Sequence, residues 1–233
     1  MAEIQSTPTR FVLPKTLEMV SAYYALGQKT EIRNIIDLGI FKGGSSALFH
    51  CLFHPHRLVA VDINTDRVTA LDAYIESRNA GAVIHPHYEI DQSDRPRLQS
   101  LIEQEFQGPL DLAVDDASHA YEPTRASFNA LFPYLREGGF YVIEDWGWAH
   151  WDRWEHLPPD YQTSGALYPG QPAVTNLIVE LVMAAATSPS LIPNVSVTFN
   201  MAIIEKGSQQ IDPKTFDIAN YHVARDHKWH PIL

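Results

Sequence analysis

The stretch VDDASHAYEPTR, Val114 to Arg125, directly follows apolar residues and carries two adjacent aspartates, with a histidine three residues after the second. Carboxylates in such a place hold cations or accept hydrogen bonds, and an imidazole takes up a proton near neutral pH. A second doubled acid, Glu144-Asp145, ends the apolar run FYVI, and single acids end three earlier runs at Asp37, Asp62 and Asp91. An acid at a strand end can simply cap the helix that follows, because aspartate is a good N-cap. That accounts for two or three of these positions. All five runs end this way, two of them twice over, which points to a shared purpose. In an open parallel sheet the carboxyl ends of the strands line one crevice, where ligands bind.

The elements that must position these acids follow from the hydrophobic pattern. Apolar runs of strand length, NIID, LVAVD, VIHPHYEID, LDLAVDD and FYVIED, alternate with helical stretches beginning near Gly44, Asp66, Asp94, Glu122 and Pro172. This rhythm predicts an α/β protein with a parallel sheet. Pro86 interrupts the third run and places it at an edge. Gly138-Gly139 is expected to end the preceding helix and introduce the fifth strand. VSVTF and MAIIEK read as a tight hairpin closing the sheet. The expected fold is a doubly wound, mostly parallel seven-stranded sheet with an antiparallel C-terminal hairpin. Residues 1–15 are polar and proline-containing and read as a loose arm, followed by a helix from Leu17 to Leu26 capped by Gly27. The expected organisation is an arm and helix over 1–30, a main domain over 31–206 with a cap segment at 146–172, and a tail over 207–233.

Composition narrows the function. The 233 residues are 45% hydrophobic and 19% charged, enough for one large core and too apolar for a disordered chain. A net charge of −11 argues against a nucleic-acid partner. The single cysteine, Cys51, excludes an internal disulfide framework and suits a reducing compartment. No apolar stretch is long enough to span a bilayer, and no signal peptide is apparent, so the expectation is a cytoplasmic protein.

The first turn reads DLGIFKGGSS, Asp37 to Ser46. Its glycines allow a sharp turn and close approach to a ligand, but Gly39 and Gly43 lie four apart, unlike the G-x-G-x-x-G dinucleotide fingerprint. Asp62 ends the second strand, where an acid can accept hydrogen bonds from ribose hydroxyls.

DLGIFKGGS resembles motif I of class I S-adenosylmethionine-dependent methyltransferases, in the variant of the catechol-type O-methyltransferases. The resemblance implies a cofactor site with Asp37, Gly39, Gly43 and Ser45 in the first turn and Asp62 at the ribose. IDQSD is similar to the loop that holds the adenine, through Asp91, Gln92 or Ser93. Helix capping is the alternative for Gln92 and Ser93. VDDASH with GGFYVIEDWGW resembles the metal-dependent sugar O-methyltransferases of macrolide biosynthesis, the mycinamicin and rhamnosyl type, over about Asn34 to Lys206. It is strong at strands four and five and weak in the arm, the cap and the tail. It implies that Asp116, Glu144 and Asp145 hold Mg²⁺ and that His119 is the general base. Ala117 departs from the glycine frequent in that family, which is harmless if its backbone is ordinary. An all-oxygen set without cysteine suits Mg²⁺, Mn²⁺ or Ca²⁺. Asp115 is left to cap the next helix or to support the site.

The implied activity is methylation of a hydroxyl on a sugar or similar small natural product. Two rivals stand beside it: a nicotinamide-dependent oxidoreductase, against which the glycine spacing counts, and a non-catalytic binding module on the same fold. Trp146, Trp148, Trp151 and Trp154 crowd the segment after strand five, to bind substrate, pack the cap or join copies of the chain into a homo-oligomer. His222, His227 and His230 in the tail have no accompanying acids and read as ordinary packing or interface residues.

Overall fold

The computed structural model describes residues 5–150 and 172–223. Seven strands form one sheet in the order β3-β2-β1-β4-β5-β7-β6. They are β1 (Asn34–Leu38), β2 (Arg57–Val61), β3 (Ile84–His87), β4 (Leu110–Asp115), β5 (Leu135–Glu144), β6 (Asn194–Val197) and β7 (Met201–Glu205). The first five pair in parallel, and β7 pairs antiparallel with both β5 and β6. The helices are α1 (Leu17–Lys29), α2 (Gly44–Phe53), α3 (Thr69–Ser77), α4 (Arg95–Glu105), α5 (Tyr121–Leu131) and α6 (Thr175–Thr187). This is the expected doubly wound sheet with its closing hairpin, and β3 takes the expected edge.

The period-2 alternation of the strands divides the core into two layers. Ile35, Leu58, Ala60, Leu112, Val114, Phe140 and Val142 pack with Met19, Tyr23 and Leu26 of α1 and with residues of α2 and α3. Their chain neighbours Ile36, Val59, Val61, Ala113, Tyr141 and Ile143 pack on the other face, against α4, α5 and α6. Strands buried on both faces read as continuous apolar runs, which is why they were visible in the sequence.

Three local expectations are corrected. The first helix does not stop at Gly27 but runs to Lys29, with Thr30 as its C-cap. A Cβ on Gly27 would lie 3.2 Å from the Phe53 ring, so the glycine serves the packing of α1 on α2. Gly138 does not end a helix: α5 stops at Leu131 and passes through a 3-10 turn, Phe132–Tyr134. Gly138, at φ +71°, lies inside β5 where its register against β4 shifts between Leu110 and Leu112, as in a β-bulge. The arm is also not loose where it approaches the body, because the Lys15 side chain is only 1% exposed.

Candidate active site

The sheet order reverses between β1 and β4, so a crevice opens at their carboxyl ends. The two strand ends are sewn together there, with the Asp116 amide donating to the Leu38 carbonyl at 2.9 Å. Gly39, at φ +106°, follows directly, and a Cβ on it would lie 2.2 Å from the Asp116 carbonyl oxygen. Its glycine therefore admits the β4 backbone. Gly43, at φ +80°, provides the left-handed N-cap of α2.

Strand alternation also separates each doubled acid. Asp115 points to the α4–α6 layer, where it accepts hydrogen bonds from Gln92 Nε2 at 3.1 Å, Tyr141 at 3.0 Å and Ser127. Burial raises its pKa to about 6. It is a support beneath the site, and the N-cap position of α5 belongs to Ala120 instead. Asp116 lies just past the strand end. Glu144 points to the α1 layer, where Tyr23 donates to its Oε1. Asp145 escapes the alternation by taking φ +48°, and His119 does likewise at φ +51°. Left-handed backbone at non-glycine residues costs about 1–3 kcal/mol and tends to mark functional sites. Ala117 is not among the positive-φ residues, so the departure from glycine there carries no backbone penalty.

Among the described residues, Asp116, His119 and Asp145 bring one ligand atom each to within 4.8 Å of one another. His119 Nε2 lies 3.9 Å from Asp116 Oδ1, and its ring stacks on Trp148 with centroids 5.3 Å apart. Trp146 is turned elsewhere, donating to the Thr198 carbonyl at 2.8 Å and so pinning the segment to the β6–β7 turn. Trp151 and Trp154 lie outside the described residues, as do His227 and His230. Glu144 joins the cluster through a residue the sequence did not single out. Lys15 Nζ lies 2.5 Å from Glu144 Oε2 and 3.0 Å from Asp116 Oδ2.

The site is short of positive charge. Burial and then Asp116 push Glu144 up to about 8. Asp145 is raised by burial, with Asp116 adding to the effect. Burial works against the Lys15 charge, yet attraction to Glu144 and Asp116 outweighs it and raises its pKa. One ammonium among these carboxylates does not neutralise them. A hard divalent cation fits the donor set: Asp116, Asp145 and the Glu144 carboxylate would hold it, with His119 beside them.

At the other end, Asp37 is fully buried, accepting from Ser45 Oγ at 2.7 Å and Ser46 Oγ at 3.2 Å, while its Oδ1 has no partner. That orphaned acceptor at the end of β1 fits the cationic or hydroxyl end of a bound cofactor. Asp62 accepts the Ile40 and Phe41 amides on Oδ2, both at 3.0 Å, and the Asn64 backbone and side-chain N–H groups on Oδ1. These four donors fill a carboxylate's acceptor positions, so a ribose would take the place of Asn64. Asp91 accepts from the Ser93 amide and hydroxyl, both at 2.8 Å, and Asp94 caps α4. Gln92 bridges two loops, donating to Asp115 while its Oε1 accepts the Ser118 amide at 2.8 Å. Gln92 and Ser93 thus hold their loops in this structure, and the N-cap of α4 is Asp94.

A pH effect follows from Asp37. Burial raises its pKa from 3.8 to about 6, so the native state holds the proton more tightly than the unfolded chain. Stability from this group is full below about pH 4 and is lost as pH rises through about 6, by up to about 3 kcal/mol. Asp37→Asn is expected to match wild type near pH 4 and to melt at higher temperature at pH 8. Parallel melting curves across that range would refute the assignment.

Comparison with known proteins gives this geometry its context. Residues 36–146 match a methyltransferase-domain family. The demethylmacrocin O-methyltransferase of Streptomyces fradiae is 28% identical over 233 aligned positions, 88% of this chain and 53% of the relative. The mycinamicin VI 2''-O-methyltransferase of Micromonospora griseorubida is 33% identical over 123 positions, covering 50% and 30%. The MycE methyltransferase of the mycinamycin pathway, solved in complex with Mg, SAH and mycinamycin VI, superposes with a TM-score of 0.59 at 26% identity, over 80% of this chain and 48% of that one. This chain spans about half the length of the Streptomyces fradiae relative and of the MycE structure.

Proposed function

We propose, from the premise that this chain is related to the macrolide sugar O-methyltransferases and carries a methyltransferase domain over residues 36–146, that it is a Mg²⁺-dependent, S-adenosylmethionine-dependent O-methyltransferase. Its acceptor is a hydroxyl on a sugar-bearing natural product, and its working compartment is the cytoplasm. The observation that carries this reading is the gathering of Asp116, His119 and Asp145 at the strand ends beside the glycine turn. The donor set argues against a nicotinamide enzyme, which needs no such cluster. It also argues against a binding module, which has no use for two strained backbone positions at His119 and Asp145.

When bound, S-adenosylmethionine supplies an electrophilic methyl group and the divalent ion orients and acidifies the acceptor hydroxyl. The chain's own residues do the rest. Asp116, Glu144 and Asp145 would hold the ion at the ends of β4 and β5. His119 Nε2 takes the hydroxyl proton, and Trp148 holds the imidazole plane by stacking. Asp115 fixes Gln92, and through it the Ser118 amide, so the turn carrying His119 is tied to the buried layer. Asp62 holds the Ile40 and Phe41 amides and thereby shapes the glycine turn. The alignment of oxygen, methyl and sulfur is the remaining contribution to rate.

The test uses a ligand that binds the native state and so raises its melting temperature. S-Adenosylhomocysteine is expected to stabilise the wild-type chain, while NAD leaves it unchanged. Asp62→Ala should weaken S-adenosylhomocysteine at least about tenfold by calorimetry, because hydrogen bonds to a charged acceptor are worth about 1.5–3 kcal/mol. Stabilisation by NAD, or an unchanged affinity in Asp62→Ala, would remove the cofactor assignment.

A further inference from the structure

Lys15 sits where the acids are most crowded. Its Nζ contacts Asp116 Oδ2 at 3.0 Å and Glu144 Oε2 at 2.5 Å, with the side chain 1% exposed. The arm that delivers it runs along the glycine turn. The Val12 carbonyl oxygen lies 2.2 Å from where a Gly44 Cβ would be, and the Phe11 ring lies 3.2 Å from the Cβ position of Gly43. Pro14 and the Thr16 N-cap of α1, which accepts the Met19 amide, fix the path between these contacts. One short segment therefore spans the cofactor turn and the acid cluster.

We propose that Lys15 is the built-in cation of the metal-free site and that a divalent ion exchanges with it, expelling the ammonium and loosening the arm from the glycine turn. This rests on the reading of Asp116 and Glu144 as ligands. The argument is exclusion. Mg²⁺ binds carboxylate oxygens at about 2.0–2.1 Å in strict octahedral geometry. An ammonium already bridging Asp116 Oδ2 and Glu144 Oε2 occupies the space and the lone pairs that the ion needs. Two cations on the same pair of oxygens also repel strongly in a buried setting. Without the ion, Lys15 supplies the counter-charge that keeps Asp116 and Glu144 together. With it, the lysine is superfluous and must leave. The exchange makes the apparent metal affinity lower than the acids alone would give, and it ties ion entry to movement at the cofactor turn.

Two measurements on the intact chain test the exchange. The first follows acetylation of lysines by an amine-reactive ester at one pH, read by mass spectrometry, with exposed Lys29 and Lys214 as internal references. Lys15 is expected to be protected in chelator and to label at least about tenfold faster in saturating Mg²⁺, while the references hold constant. The second is Mg²⁺ titration by calorimetry. Lys15→Met, which keeps the stem and removes the charge, is expected to bind Mg²⁺ at least about tenfold more tightly than wild type. Wild-type binding with Lys15 still protected, and no gain in Lys15→Met, would overturn the exchange while leaving a metal site on the Asp116–His119–Asp145 side. Absence of Mg²⁺ binding in both proteins would remove the metal-site reading and the exchange with it. Should Lys15→Met fail to fold, as a lost thermal transition would show, the wild-type labelling alone decides.

Discussion

Treatment with a chelator is expected to abolish methyl transfer, and added Mg²⁺ is expected to restore it. Asp145→Asn should lose about a hundred- to a thousandfold in turnover, because the ion would supply the acidification of the acceptor and each such electrostatic contribution is typically worth 10²–10³ in rate. Asp145 is the sharpest choice among the acids. It lies at a left-handed backbone position that turns its side chain out of the strand alternation, and its ligand atom falls within the cluster with Asp116 and His119. Glu144 is a poorer probe, because Tyr23 and Lys15 both bond to it and its loss would disturb the buried layer under α1. Radiolabel transfer from S-adenosylmethionine to a sugar-bearing acceptor, with the metal varied, measures the effect. Full turnover in chelator would remove the ion from the mechanism.

His119→Ala is expected to lower turnover by about 10²–10⁴, the range for losing a general base. S-Adenosylhomocysteine affinity should stay within about twofold, since Asp37, Asp62 and the glycine turn form the other end of the crevice. His119→Gln controls for the lost stacking on Trp148 and should be as slow as the alanine variant. Near wild-type turnover across the pH range in both variants would mean that another group takes the proton. The same contact changes what is expected of Trp148. The sequence left substrate binding, cap packing and an interface open for Trp148; since its ring stacks on His119, its loss should reduce turnover as well as acceptor binding.

Strands β1, β2, β4 and the second half of β5 were legible because they are buried on both faces and carry nearly continuous apolar runs, and the candidate site was legible because its acids follow two of those runs directly. What was not legible is which acid of each pair does what. A period of two sends Asp115 and Glu144 to opposite layers of the sheet, and the left-handed backbone at His119 and Asp145 brings their side chains to Asp116, just past the end of β4. Tyr23 looked like an ordinary core residue, since Met19, Tyr23 and Leu26 share the buried stripe of α1. The partner of its hydroxyl lies 121 residues away. Lys15 was hidden for the same reason: a lone lysine in a polar, proline-containing arm carries no local sign that it will meet Asp116, 101 residues later. Gly27 and Gly138 misled because glycine ends helices often, whereas here one admits a ring and the other makes a bulge. Asp62 was placed correctly at the end of β2, yet its acceptor positions are already loaded by local amides, which no pattern of residue types reveals.

The proposed function stands on a divalent-cation site formed by the acids at the ends of β4 and β5, beside the cofactor crevice. Crystals grown with S-adenosylhomocysteine and Mn²⁺, measured for anomalous scattering, test it most directly. The expected result is a single strong anomalous peak among Asp116, Glu144 and Asp145, with Lys15 displaced from both carboxylates. A fully occupied cofactor with no peak there, and Lys15 still bonded to Asp116 and Glu144, would contradict it.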